Sequence, residues 1–371
     1  MNFQIRYASS ELTDPVLAVA EFARQMLPAE PETILFFCSP DYDLNILGRE
    51  MQKTFRCPCI GCTSSGQIGT HGFQHSGLLG LGLSANFRTR SFVIHPLTDY
   101  SATIAEIAEE IRRGSAASPN LQRFGLLLID GLSMAEERLI ANLYQQTGNI
   151  PVIGGSAGDD LRFEKSYVYN GEGEFLSDAA VFAVIETSSP VEIFKVQHFE
   201  PGEVELIITE ADPEKRLIRE INGEPAGQVY AESLGITVAE LTPTVFSRNP
   251  LVLSLGDEPY VRSIQKLNDD LSLTCYCAIE EGLIVSIGIA EDPLETFNQA
   301  LAKVHETIPE PAVIIGCDCI LRRLQFEQEE LDQQIGNFMV QNRIVGFSTY
   351  GEQYNGLHVN QTFTGVAIGG K

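Results

Sequence analysis

The stretch PCIGCTSSGQI, residues 58–68, organises the rest of the chain, because it recurs as PVIGGSAGDD at 151–160 and again as RIVGFSTYGEQ at 343–353. All three share an apolar pair, a glycine (Gly61, Gly154 or Gly346), one variable residue, small hydroxyl-rich positions and a second glycine (Gly66, Gly158 or Gly351). Before each stands an apolar run, TILFFCS, FGLLLID or AVIIGCD. Its length and lack of polar alternation predict a strand buried on both faces. A helical segment follows each run. Ser39 and Pro40 read as N-cap and first helical residue ahead of Leu44, Leu47 and Met51; Ser133 and Glu136 read as a capping box ahead of Leu139, Ile140 and Leu143. Leu331, Ile335, Phe338 and Met339 have the spacing of one helical face. After each glycine loop comes another apolar run, GLLGLGLS, DAAVFAVIE or FTGVAIGG. Each unit is therefore strand, helix, strand, loop, strand.

Ahead of the third unit lies an insertion with the runs EVELIITEA, PLVLSLG, YVRSIQKL, LSLTCYCAI and GLIVSIGIA, which read as antiparallel strands. Asn222–Gly223 marks a turn, and Pro225 starts a helix carrying Val229, Tyr230 and Leu234. The expected fold is α/β: repeated strand-helix-strand-loop-strand units forming mixed sheets in two packed domains, with an antiparallel strand insertion. Residues 1–225 would hold the first two repeats and residues 226–371 the antiparallel strands plus the third.

A formal charge of −25, from 50 acidic and 25 basic residues, repels phosphate backbones and anionic lipid surfaces. Nucleic acid and membrane are not expected partners. The amino-terminal segment lacks the pattern of a secretory signal, and no apolar run approaches the ~18 residues of a membrane span. A cytoplasmic setting is expected, in which the eight cysteines stay reduced.

The glycine loops are poor phosphate cradles, since no lysine follows them and the next element reads as a strand. Cys57, Cys59 and Cys62 have the density of a metal clip, but the repeat puts Val152 and Ile344 at the Cys59 position, and Gly155 and Phe347 at that of Cys62. The thiols therefore read as small buried hydrophobes. Ser64, Ser156 and Ser348 are available hydroxyls without a nucleophile elbow, so no enzyme is expected. Asp159, Asp160 and Glu352 follow the loops and could meet an ammonium or cap loop N–H groups. Of six histidines, His198 ends a strand in VQHFEP and His358 follows the third loop in HVNQTFTG. Either could be a satisfied imidazole or a single axial haem ligand.

Four segments in order, VIGGSAGDD, EINGEPAGQVYAESLG, NPLVLSLGDEPYVRSI and GFSTYGEQYNGLHVNQTF, resemble the FIST sensory module, with its N-terminal and C-terminal halves, from about residue 30 onward. VQHFEP and HVNQTFTG are most similar to its haem-binding, nitric oxide-sensing subset, called NosP; where the broader family sets His beside Asn, this sequence reads HVN. The resemblance implies a stand-alone sensor, possible as a homodimer, that regulates a histidine kinase or cyclic-di-GMP enzyme by contact. It also implies b-type haem, with His198 or His358 on the iron, and nitric oxide as the ligand. The alternative is a sensor of an amino acid or other small ligand without haem, its pocket lined by the loops Gly61–Gly66, Gly154–Gly158 and Gly346–Gly351.

Overall fold

A computed structural model describes residues 5–84, 86–117, 120–148, 150–256 and 258–370, and its mixed α/β architecture is the one expected. Unit one runs β1 (Ile5–Ser10), α1 (Pro15–Met26), β2 (Thr33–Cys38), α2 (Leu44–Thr54), β3 (Cys59–Thr63), β4 (Gln67–Gly69), β5 (Gly72–Gln74) and β6 (Leu78–Leu83). Unit two repeats this order with β7 (Phe87–Ile94), α3 (Ser101–Ala117), β8 (Gln122–Asp130), α4 (Glu136–Gln146), β9 (Val152–Ala157), β10 (Val168–Tyr169), β11 (Phe175–Leu176) and β12 (Ala180–Thr187). Unit three opens with β13 (Val191–Gln197) and is then interrupted. The inserted segment holds β14 (Phe199–Asp212), β15 (Leu217–Ile221), β16 (Glu224–Pro225), α5 (Ala226–Ser233), α6 (Pro243–Arg248), β17 (Leu251–Leu255), β18 (Glu258–Arg262), β19 (Ile264–Leu267), β20 (Leu273–Cys275) and β21 (Ile284–Ala290). Unit three resumes with α7 (Pro293–Thr307), β22 (Pro311–Cys319), α8 (Ile320–Gln328), α9 (Asp332–Gln341), β23 (Ile344–Thr349), β24 (Glu352–Tyr354), β25 (Leu357–Val359) and β26 (Thr362–Gly369).

Helix starts follow side-chain capping, with two departures from expectation. Asp14 and Asp292 cap α1 and α7, each followed by proline. Helix α2 begins later than Ser39–Pro40 suggested, because Asp43 accepts the Asn45 and Ile46 N–H groups while Ser39 caps only a turn at Asp41. Nor does Ser133 form a capping box. Its hydroxyl donates to the Asp130 carbonyl, Met134 takes a left-handed φ of 56°, and α4 starts at Glu136.

The three units are related by a cyclic exchange that the repeats did not announce. In unit one the sheet order is β1-β6-β2-β3, in unit two β7-β12-β8-β9, and in unit three β13-β26-β22-β23. Each sheet is then extended by a hairpin from another unit: β10–β11 of unit two on β3, β24–β25 of unit three on β9, and β4–β5 of unit one on β23. Every unit gives one hairpin and receives one, so the ring closes. Two of the three unit sheets consequently draw strands from both sides of residue 225.

Inward faces of the three sheets meet in one core. Leu35, Leu126 and Ile315 hold equivalent places on the first strands, and Ile60, Ile153 and Val345 on the strands parallel to them. The variable position of the repeat forms the next layer, with Cys62, Gly155 and Phe347. Phe347 stacks on Phe37 at 4.2 Å, and a side chain at Gly155 would collide with its ring. One bulky residue therefore fills space that its two counterparts leave open. Helices cover the outer faces in separate clusters, and the inserted segment has its own core around Ile208, Ile221, Tyr230 and Val285. No helix of the described residues is long and apolar enough to cross a membrane.

Candidate functional site

The glycine loops lie where the units join. The N–H groups of Thr63, Ser156 and Ser348, at the ends of β3, β9 and β23, donate to the Tyr167, Gly351 and Gly66 carbonyls at 2.9, 2.8 and 2.8 Å. Each acceptor belongs to the segment leading into a donated hairpin. The shared first glycine has a steric origin: a Cβ on Gly61, Gly154 or Gly346 would collide with the carbonyl oxygen of Phe36, Leu127 or Gly316 on the neighbouring parallel strand. Among the loop glycines only Gly66 needs a positive φ, 116°. Ser64 donates to the Cys38 carbonyl, and Gly158 N–H donates to the Thr63 carbonyl across the seam.

Two of the three loop carboxylates, Asp159 and Glu352, are engaged within the fold. Asp159 is buried and accepts the N–H groups of Phe163, Glu164 and Lys165 as well as the Tyr350 hydroxyl. Asp160 is exposed, and its N–H donates to Ser65 Oγ. Glu352 is fully buried between Thr349 and Thr362, and burial pushes its carboxyl up to about 8. A neutral carboxylic acid there is a poor partner for an ammonium.

The two histidines have different surroundings. His358 is buried, its Nδ1 faces Gln353 Nε2 at 3.3 Å, and among the described residues its Nε2 has no partner. Burial lowers its basicity, against the pull of Glu137 and Glu136. The Gly351 backbone lies so close that a Cβ there would sit 2.8 Å from Nε2, so a porphyrin plane could enter only by displacing the hairpin. At His198, wholly buried, both ring nitrogens are engaged: Arg322 Nη1 donates to Nδ1 at 2.7 Å, leaving Nε2–H to donate to Gln325 Oε1 at 2.9 Å. Burial, aided by the Arg322 cation, holds the ring down at about 3, so it is neutral. Neither histidine fits a haem in this arrangement, one for want of room and the other for want of a free nitrogen.

His198 belongs instead to a buried polar chain that the sequence did not announce. Arg322 Nε donates to Asp318 Oδ1 at 2.8 Å, with both side chains fully buried. The guanidinium lies 5.0 and 5.2 Å from the Phe297 and Phe326 rings. The Asp–x3–Arg spacing in DCILR, at the strand-to-helix junction, was the available signal.

Gln325 carries this chain to the surface. It lines a groove of about 640 Å³ where the paired strands β14 and β21 of the inserted sheet meet α8, within the size range of small-molecule sites. One wall is apolar, formed by Val204, Ile287 and Ile289. The other is polar, with Arg248 Nε 3.5 Å from Glu329 Oε1 and Gln325 Nε2 3.4 Å from the same oxygen.

All eight cysteines are free. Cys59 packs among the outer helices and Cys62 in the central core, so they face opposite sides of one sheet and cannot share a metal. No group of three His, Cys, Asp or Glu side chains among the described residues is placed to hold a metal ion.

Residues 32–224 match the FIST N domain and residues 226–355 the FIST C domain. An uncharacterized protein of Methanocaldococcus jannaschii is 24% identical over 278 residues, covering 65% of this chain and 53% of that protein. The chain thus spans about half the length of that relative.

Proposed function

Because this chain belongs to the FIST family of ligand-sensing signalling domains, we propose that it senses an amino acid with an apolar side chain, bound in the groove between the inserted sheet and α8. The carrying observation is the groove's opposed chemistry above Gln325. Arg248 offers an N–H fork to a carboxylate, Glu329 and Glu203 face an ammonium, and Val204, Ile287 and Ile289 take the side chain. Gln325 is shared between the groove and His198. A ligand that competes for its amide changes how α8 holds the buried chain, and so biases one arrangement of the inserted sheet over another. The partner reading that binding is of the class the resemblance implies, a histidine kinase or cyclic-di-GMP enzyme. No reaction is assigned to the chain.

The test is a thermal-shift series with leucine, isoleucine, valine and methionine, run beside glutamate and lysine. At ~100 times Kd the stabilisation is about 2.7 kcal/mol, or roughly 3 °C for a chain of this size. Arg248→Gln should abolish the shift. Equal responses to leucine and lysine, or a shift that survives Arg248→Gln, would refute the reading. A hemin titration followed by absorbance separates it from the haem and nitric oxide reading: a Soret band lost in His358→Ala would favour haem instead.

A further inference from the structure

A second groove lies at the seam where β1 runs past the tip of its own unit's donated hairpin and the start of β23. It holds about 400 Å³ and continues into a recess of about 120 Å³ that shares Tyr7, Gly69, Thr70 and Val345. Ile5, Val340 and Ile344 make its apolar wall. Two donors face this wall. Among the described residues the Tyr7 hydroxyl has no hydrogen-bond partner, and Arg343 uses only Nη1, which donates to the Pro311 carbonyl at 2.9 Å. Among the described residues no acceptor meets the remaining guanidinium donors of this exposed side chain. The Arg343 backbone is fixed at the end of α9, with a left-handed φ of 55° and its N–H donating to the Val340 carbonyl at 3.1 Å. Burial pushes the Tyr7 phenol up to about 12, opposed by the nearby Arg343 charge, so it is a donor at neutral pH.

Among the described residues no Asp or Glu lines either part of this groove, in a chain of net charge −25. The corresponding seam of unit three, between β13 and the tip of β24–β25, is built differently. There Lys195 lies 3.8 Å from Glu258 and 4.6 Å over the Tyr260 ring, both supplied by the inserted sheet. Its cation is answered from within the fold, whereas that of Arg343 faces open space.

We propose that the unit-one seam is a binding site for a monocarboxylate with an unbranched apolar chain. The carboxylate accepts from Arg343 and the Tyr7 hydroxyl, and the chain lies along Ile5, Val340 and Ile344. The site is independent of the groove beside α8 and stands whether or not that groove takes amino acids. Octanoate is the probe, with octanol and octylamine as controls, titrated calorimetrically into the full chain and followed by hydrogen exchange. Octanoate should bind at least about tenfold more tightly than octanol, protecting β1 and residues 340–345, while octylamine should not bind. Tyr7→Phe, which removes only a partnerless hydroxyl, should weaken octanoate about tenfold, and Arg343→Gln up to about a hundredfold. Leucine at the other groove would protect residues 202–204 and 287–290 instead, so failure of one reading is distinguishable from failure of the other. Equal affinity for octanoate and octanol, no binding at ~1 mM, protection elsewhere, or unchanged octanoate affinity in Tyr7→Phe would overturn the proposal.

Discussion

Replacing Glu352 by glutamine should make the protein more stable, and increasingly so as pH rises. Glu352 is fully buried, and burial raises its carboxyl from the ordinary 4.5 to about 8 against the hydrogen bonds from Thr349 and Thr362. Between those values the unfolded chain ionises while the folded one keeps its proton. The folded state therefore binds more protons, and stability falls as pH rises through this window. Whatever the protonated form contributes is fully present below about 4.5, and its loss is complete above about 8. For this shift the loss is about 1 kcal/mol at pH 5 and about 4 kcal/mol at pH 8. A glutamine side chain at this position has nearly the same shape and carries no charge at any pH: its Oε1 accepts from the Thr362 N–H and hydroxyl, and its amide nitrogen takes the place of the oxygen that faces Thr349 Oγ1. Urea unfolding of both proteins from pH 5 to pH 8 measures the difference, and other titrating groups largely cancel in it. The variant should gain about 3 kcal/mol on wild type across that range. A gap that stays constant with pH would refute the assignment of Glu352 as a neutral buried acid.

Two further substitutions test the core and the buried chain. Phe347→Ala removes the ring that fills the axis beside Gly155 and should cost about 3–5 kcal/mol in urea unfolding, because the surrounding strands cannot collapse into the gap. Arg322→Met leaves Asp318 as a buried acid without its cation and should cost about 3–5 kcal/mol, part of it recovered by adding Asp318→Asn. A double variant no more stable than Arg322→Met would refute the pairing.

Legibility in the sequence follows the range of the forces involved. TILFFC, FGLLLID and AVIIGCD declare buried strands because every residue must face apolar surroundings, and Asn222–Gly223 declares a turn through local backbone geometry, with both residues at positive φ. Gly61, Gly154 and Gly346 also stood out, although close strand approach rather than positive φ explains them. The hairpins β10–β11 and β24–β25 were not legible, since strands of two and three residues carry no periodicity of their own.

The sequence alone determined the three repeats, their long buried strands with the helices between them, and the inserted antiparallel segment. Only the tertiary structure decided that each unit lends its hairpin to another, that the glycine loops are seams rather than open pockets, and that His198 is bound on both nitrogens by Arg322 and Gln325. The physical reason is distance along the chain. A strand or a cap is settled by residues within a few positions, whereas His198 meets Arg322 across 124 positions, a pairing that exists only once the sheets have closed.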